Sequence, residues 1–265
     1  MTDYAKSDAS TVVMEHVYSI LPGGAFPIYL VLGGSHAYGL DRPDSDKDYR
    51  GVFMPGERHF FGLADQDGPY EKKQPDIVMQ SLAKFVKLAL GANPNILEQL
   101  FIPKQEQLGC WEGMVHILDD RHLFLSRRAH KSYMGYAYSQ LSKLKSGGTR
   151  NLGEKRKALR EQFGYDTKNA MHCVRLLLQG REILESGELT VRCDETTRVL
   201  LLDIRDGRWA YENVLELAEN YMTEINRALE HSPLPPDPPV DCIEASLMDV
   251  QAEYLAQRKP WRVNK

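Results

Sequence analysis

Cysteine is scarce in this chain. Cys110, Cys173, Cys193 and Cys242 are its four cysteines in 265 residues, with no C-x-x-C pair and no histidine at metal-ligand spacing. That pattern speaks against a zinc site and against a disulfide scaffold. Long apolar runs are missing too. None approaches the roughly 20 residues of a transmembrane helix, so no membrane association is expected. The first residues, MTDYAKSDAS, lack a basic stretch followed by an apolar one, so no secretory signal is expected and a cytoplasmic location is the default. An excess of charge of one sign is also absent, the formal net charge being only −4, and global charge alone does not suggest nucleic acid.

What is present is an asymmetry inside that balance. Between Arg121 and Arg175 there are 13 Lys and Arg against three acidic residues, Glu154, Glu161 and Asp166, so the rest of the chain is acidic. A basic middle in an acidic protein suggests a surface facing a polyanion, with solvated helix faces as the alternative. The length suits one large domain or two modest ones.

The periodicity divides the chain in two. Pro27 to Leu32 is a continuous apolar run suited to a buried strand, Asp48 to Met54 reads as a second strand, and Asp76 to Gln80 as a third. Helices are expected from Asp8 to the Pro22-Gly23-Gly24 break, over the Ser81-capped SLAKFVKLAL, and from Asn93-Pro94-Asn95 through Phe101. Helical stretches then follow at 106–118, 127–146, 154–163, 167–185, 196–204, 211–230 and 241–257, with a loop at Gly147-Gly148-Thr149 and a proline-rich connector from Ser232. The expected organisation is a small α/β (α+β) domain with a short mixed sheet over 1–110 and an all-helical domain over 111–265.

The stretch VLGGSHAYGLDRPDSDKDYRGVF (31–53) carries the chemistry. Residues two apart on a strand point the same way, so Asp46 and Asp48, with Asp44 just before them, set carboxylates side by side at a strand's start. A divalent cation relieves their repulsion, and hard oxygen ligands select Mg²⁺ or Mn²⁺. Upstream, Gly33-Gly34-Ser35 offers backbone N–H groups that can approach a phosphate closely. A glycine-serine turn for phosphate, with D-x-D beginning 11 residues after the serine, describes metal-assisted nucleotidyl transfer.

At these residues the sequence resembles the DNA polymerase β-type nucleotidyltransferase superfamily, whose signature is an hG[GS] turn followed by D-x-D. More narrowly it is similar to the predicted nucleotidyltransferases that include the T4 RNA ligase-associated polymerase. The matching blocks are Gly34 to Gly39 (GSHAYG), Pro43 to Gly51 (PDSDKDYRG), Asn93-Pro94-Asn95, and Gly164 to His172 (GYDTKNAMH). The resemblance implies transfer of a nucleoside monophosphate from an NTP to an acceptor hydroxyl, with release of pyrophosphate. It assigns Gly34 and Ser35 to the NTP phosphates and Asp46 and Asp48 to metal. It also implies a third metal-binding and catalytic carboxylate on a following strand, for which Asp76 is the candidate and Glu71 the alternative. His36 stands where the family commonly has arginine.

Lys168, His172 and Arg175 share a helix face and are candidates to grip triphosphate oxygens, against solvated and core alternatives. Asp166 is expected to cap that helix. Tyr133, Tyr136 and Tyr138 lie among the cations of the basic segment, either as core residues or as platforms for bases. The expected partners are an NTP and, through the basic 121–175 region, an RNA end. Competing acceptors are a small molecule or a protein, and a nucleotide-binding, antitoxin-like module without turnover is the rival class. No arginine stands five to seven residues before any histidine, so the helical part lacks an R-x(4–6)-H nuclease motif. Oligomeric state is not encoded in any of these patterns.

Overall fold

The computed structural model describes residues 8–145 and 154–257. The expected loop at 147–149 lies outside the described residues. The elements run α1 (Asp8–Ile20), β1 (Phe26–Gly33), α2 (Gly34–Tyr38), β2 (Asp48–Met54), α3 (Glu57–Phe61), β3 (Tyr70–Lys73), β4 (Asp76–Ser81), α4 (Leu82–Leu90) and α5 (Pro94–Leu100). They continue with β5 (Gln107–Cys110), α6 (Val115–Asp119), α7 (Arg128–Lys145), α8 (Glu154–Phe163), α9 (Thr167–Ser186), α10 (Glu195–Arg205), α11 (Tyr211–His231) and α12 (Val240–Gln257). The result is an α+β core with a mixed sheet, followed by a helical part.

The sheet has the order β3-β4-β2-β1-β5. β1 is antiparallel to β2 and β5, while β2 and β4 run parallel. β1 is apolar along its whole length because both its faces are covered. One face packs Leu30, Phe53, Ile77 and Met79 against Val13 and Val17 of α1. The other joins a single apolar core that continues through α4, α5 and the helical part as far as Tyr254. Tyr254 of α12 lies 6.3 Å from the Phe26 ring and 6.0 Å from Trp111, so the last helix returns onto the sheet. Within the helical part, α9 is central and packs on α7, α10 and α11.

The predicted helix over 106–118 is replaced by β5, 3₁₀ turns and the short α6. β1 has an open edge that Gln107 to Cys110 pairs, and an unpaired edge beside a buried strand outweighs a weak helical pattern interrupted by Gly109 and Gly113. The short polar β3 and the one-turn α3 carry no periodic signal in the sequence. Ser81 and Asn93 cap α4 and α5 as expected, accepting from the backbone N–H of Lys84 and Asn95.

Candidate active site

The polar half of β2 projects past the core. Its burial rises from half-buried Asp48, Tyr49 and Arg50 to the fully covered Val52, Phe53 and Met54. In register, Gly33 of β1 faces Asp48 of β2, and Asp48 faces Asp76 of β4. Three adjacent strands therefore end on the turn glycine, the second D-x-D aspartate and the candidate third carboxylate. Glu71 lies one strand further out, opposite Val78, so it is Asp76 that stands beside Asp48.

Gly34 closes this end of the sheet. Its φ of +61° is the left-handed region that favours glycine, and a Cβ there would lie 1.9 Å from Asp48 Oδ2. The turn is thus pressed against the carboxylate. Burial pushes the Asp48 carboxyl above its usual range; Arg50 opposes that, the adjoining Asp76 adds to it, and Lys168 opposes it. A carboxylate held in this way, beside a second one, calls for a cation. In this structure the cation is Arg50. Its Nη1 lies 2.9 Å from Asp76 Oδ1, and its Nη2 lies 3.3 Å from Asp48 Oδ1 and 3.4 Å from Asp76 Oδ2. All-oxygen donors and a glycine cradle that a Cβ would fill fit a hard divalent cation.

Asp46 sits in the exposed loop before β2. That loop is clasped from the helical part. Arg198 Nε donates to the Gly39 carbonyl at 3.0 Å, Arg205 Nη1 donates to the Leu40 carbonyl at 2.7 Å, and Arg42 pairs with Asp206. Inside the loop Arg42 N–H donates to Ser45 Oγ at 2.8 Å. His36 Nδ1 lies 3.5 Å from Asp41 Oδ2, which ties it to the same loop.

Beside the sheet end opens a cavity of about 530 Å³. Gly33, Gly34 and Arg50 form one wall, and His172, Asn169 and Lys143 come from the helical part. Asn93, Asn95 and Tyr136 line it as well. Asn93 Nδ2 donates to Tyr136 Oη at 2.9 Å. Tyr133 is fully buried and Tyr138 is exposed, so of the three tyrosines only Tyr136 reaches this space. Asp166 caps α9 as expected, its Oδ1 accepting from Asn169 N–H at 3.0 Å.

On α9 the three candidate cations differ in depth. Lys168 is exposed and near enough to Asp48 to lower its pKa, and His172 is half-buried in the cavity wall. Arg175 lies deeper, only 4% exposed. Its Nη1 donates to Glu98 Oε1 and to Gln179 Oε1, and its Cζ lies 3.8 Å from the Tyr38 ring centroid. Tyr38 Oη donates to Glu98 Oε2 at 2.5 Å. This sealed network joins α9 to α5 and to α2, the helix that begins at Gly34-Ser35. Arg121, Arg127 and Arg128 of the basic segment also donate within the fold, to the Leu118 and Ser232 carbonyls and to Asp237. Lys131, Lys143, Lys157 and Lys168 are exposed.

Asp46, Asp48 and Asp76 are not gathered into one tight cluster. Among the described residues, the trio whose ligand atoms all lie within 4.8 Å of one another is His59, Asp65 and Asp67, after α3. There His59 Nδ1 accepts the Gln66 N–H at 3.1 Å, which leaves the neutral ring's proton on Nε2, facing Asp67 Oδ1 at 3.8 Å. Asp65 Oδ1 accepts the Asp67 N–H, and Asp67 Oδ1 accepts from Ser81 Oγ. The cluster closes on itself and offers no bare imidazole nitrogen.

An hG[GS] turn packed on aspartates at the ends of neighbouring strands, with helices walling the cleft, defines a nucleotidyltransferase core of the DNA polymerase β type. Residues 24–249 match the RNA repair pathway DNA polymerase beta family, and the chain belongs to it. It is 30% identical over 132 residues to an uncharacterized 38.9 kDa protein of the nrdC-mobD intergenic region of Enterobacteria phage T4, covering 44% of this chain and 38% of that protein. It is 27% identical over 165 residues to an uncharacterized protein of Methanocaldococcus jannaschii, covering 61% of this chain and 62% of that one. The chain thus spans less than two thirds of either relative. No solved structure matches it. No described helix is long and apolar enough to cross a membrane.

Proposed function

We propose that this protein transfers a nucleoside monophosphate from an NTP to a hydroxyl at an RNA end. The observation that carries the reading is the alignment of Gly33, Asp48 and Asp76 across three adjacent strands, with Gly34 pressed on Asp48. Gly34 and Ser35 receive the phosphate chain, since a backbone without a Cβ admits phosphate oxygens closely. Asp46, Asp48 and Asp76 hold Mg²⁺ or Mn²⁺. When bound, the metal adds positive charge at the α-phosphate and eases ionisation of the acceptor hydroxyl.

Asp76 takes the acceptor's proton, the acceptor oxygen bonds to the α-phosphorus, and the α–β anhydride bond breaks with departure of pyrophosphate. Lys168 and His172 face this end of the sheet from α9 and hold the charge of the triphosphate. Arg175 supports them from behind, by fixing Glu98 and Tyr38 under the phosphate turn. Positioning and charge account for most of the rate in such a reaction.

The family's place in RNA repair, with exposed Lys143 in the cavity wall and exposed Lys168 near Asp48, supports RNA as the acceptor. The test is incubation with each labelled NTP, Mg²⁺ or Mn²⁺ and pooled RNA, the expected result being label on RNA. Label on protein or on small molecules only would overturn the acceptor assignment. RNA binding is expected to weaken steeply with salt, the logarithmic slope being about −0.7 for each phosphate neutralised on a single strand.

A further inference from the structure

Arg50 has no part in the reading above, yet it occupies the centre of the site. Asp48 and Asp76 present four carboxylate oxygens between them. Asp48 Oδ2 is lodged against Gly34. The other three all lie within 3.4 Å of the Arg50 guanidinium. A divalent cation that ligates this pair therefore meets a guanidinium already seated on the oxygens it needs. Two cations there repel one another at short range. Arg50 also has somewhere to go: its side chain is 27% exposed and it lines the cavity that Gly33, Gly34, Lys143 and His172 share. A planar five-donor fork released into that space pairs with phosphate in the two-pronged manner that lysine cannot match.

We propose that Arg50 is a displaceable counter-cation. It holds Asp48 and Asp76 side by side before metal arrives, yields them to the divalent cation, and passes to the phosphate chain of the nucleotide. This inference rests on the nucleotidyltransferase reading, and it makes Arg50 the residue that couples metal loading to nucleotide capture.

The test measures Mn²⁺ binding to the purified chain, without nucleotide, by the electron paramagnetic resonance signal of free Mn²⁺. Arg50→Gln is expected to bind Mn²⁺ about tenfold more tightly than the wild type, because its competitor is gone. With Mn²⁺ saturating, the same variant is expected to bind α,β-methylene NTP analogues about tenfold more weakly. Unchanged or weaker Mn²⁺ affinity in Arg50→Gln overturns the competition, and unchanged analogue affinity overturns the hand-over. Asp48→Asn separates the two levels. If it abolishes Mn²⁺ binding while Arg50→Gln changes nothing, Arg50 alone is misassigned; if it leaves Mn²⁺ binding intact, the metal reading beneath it fails. Should Arg50→Gln not fold, Arg50→Lys carries the test. Its single shorter ammonium cannot bridge both carboxylates, so a rise of about threefold is expected and no rise overturns the proposal.

Discussion

Two arginines flank the same cavity, and each is paired with carboxylate. Arg50 bridges Asp48 and Asp76 with its side chain 27% exposed, whereas Arg175 meets Glu98 with both side chains under 10% exposed. Arg175 is stacked on Tyr38 and bonded to Gln179, while the oxygens that Arg50 holds lie at a sheet end open to solvent. The chemistry of the two pairs is the same, and burial separates their roles. A sealed pair cannot exchange partners without stranding a charge in low dielectric, so it fixes structure. An open pair loses little when a better cation replaces one member, so it is available for function.

The sharpest way to break this comparison is at the open pair. Asp48→Ala is expected to leave far-ultraviolet circular dichroism unchanged and to lower nucleotidyl transfer by about a thousandfold or more, the loss of several kcal/mol of charge stabilisation. Full Mg²⁺-dependent transfer by this variant would remove Asp48 from the site.

Next in size is the sealed pair. Glu98→Ala leaves the Arg175 charge buried without its carboxylate and is expected to cost about 3–5 kcal/mol, read as a lowered denaturation midpoint. Replacing both members, Glu98→Leu with Arg175→Met, is expected to cost much less, because no charge is then stranded. Equal losses in the single and double variants would show that packing, not charge, makes that network stable.

A smaller effect reports how closed the interior is. Cys173 lies two residues before Arg175, and burial pushes its thiol up to about 12. The thiolate is the reactive form, and it is scarce at neutral pH when the thiol pKa is so high. Maleimide at neutral pH is therefore expected to label the exposed Cys242 well before Cys173. Glu98→Ala is expected to narrow that gap by loosening α9.

The smallest effect concerns the cluster that most resembles a metal site by distance alone. His59→Ala is expected to leave Mn²⁺ affinity unchanged, since the His59 ring has its proton on the nitrogen facing Asp67. A clear loss of Mn²⁺ binding would place a metal at His59, Asp65 and Asp67 instead.

Much of the site was legible because its signals are local. The glycine turn, Asp48 and the strand that begins at Asp76 each declare themselves within a few residues, and strand periodicity set Asp48 at a strand start. Arg50 was equally visible, two residues after Asp48 and on the same strand face, but an arginine beside aspartates has no meaning until its depth and partners are known. Helical spacing set Arg175 on one stripe of α9 with Lys168 and His172, whereas the structure buries it against Glu98. Periodicity gives a direction around the helix axis, however, not a depth in the protein, and Glu98 lies 77 residues away in the chain.

The sequence by itself determined the α+β core, the helical part after it, and the strand starts that carry Asp48 and Asp76, because backbone propensity and strand and helix period act over short stretches of chain. Only the tertiary structure decided that Asp76 rather than Glu71 stands beside Asp48, that β5 closes the open edge of β1, and that Arg198 and Arg205 clasp the loop carrying Asp46. Those choices depend on strand register and on contacts between residues up to 165 apart in the chain. They are settled by which edges, carbonyls and charges would otherwise be left unpaired when the whole chain closes on its core.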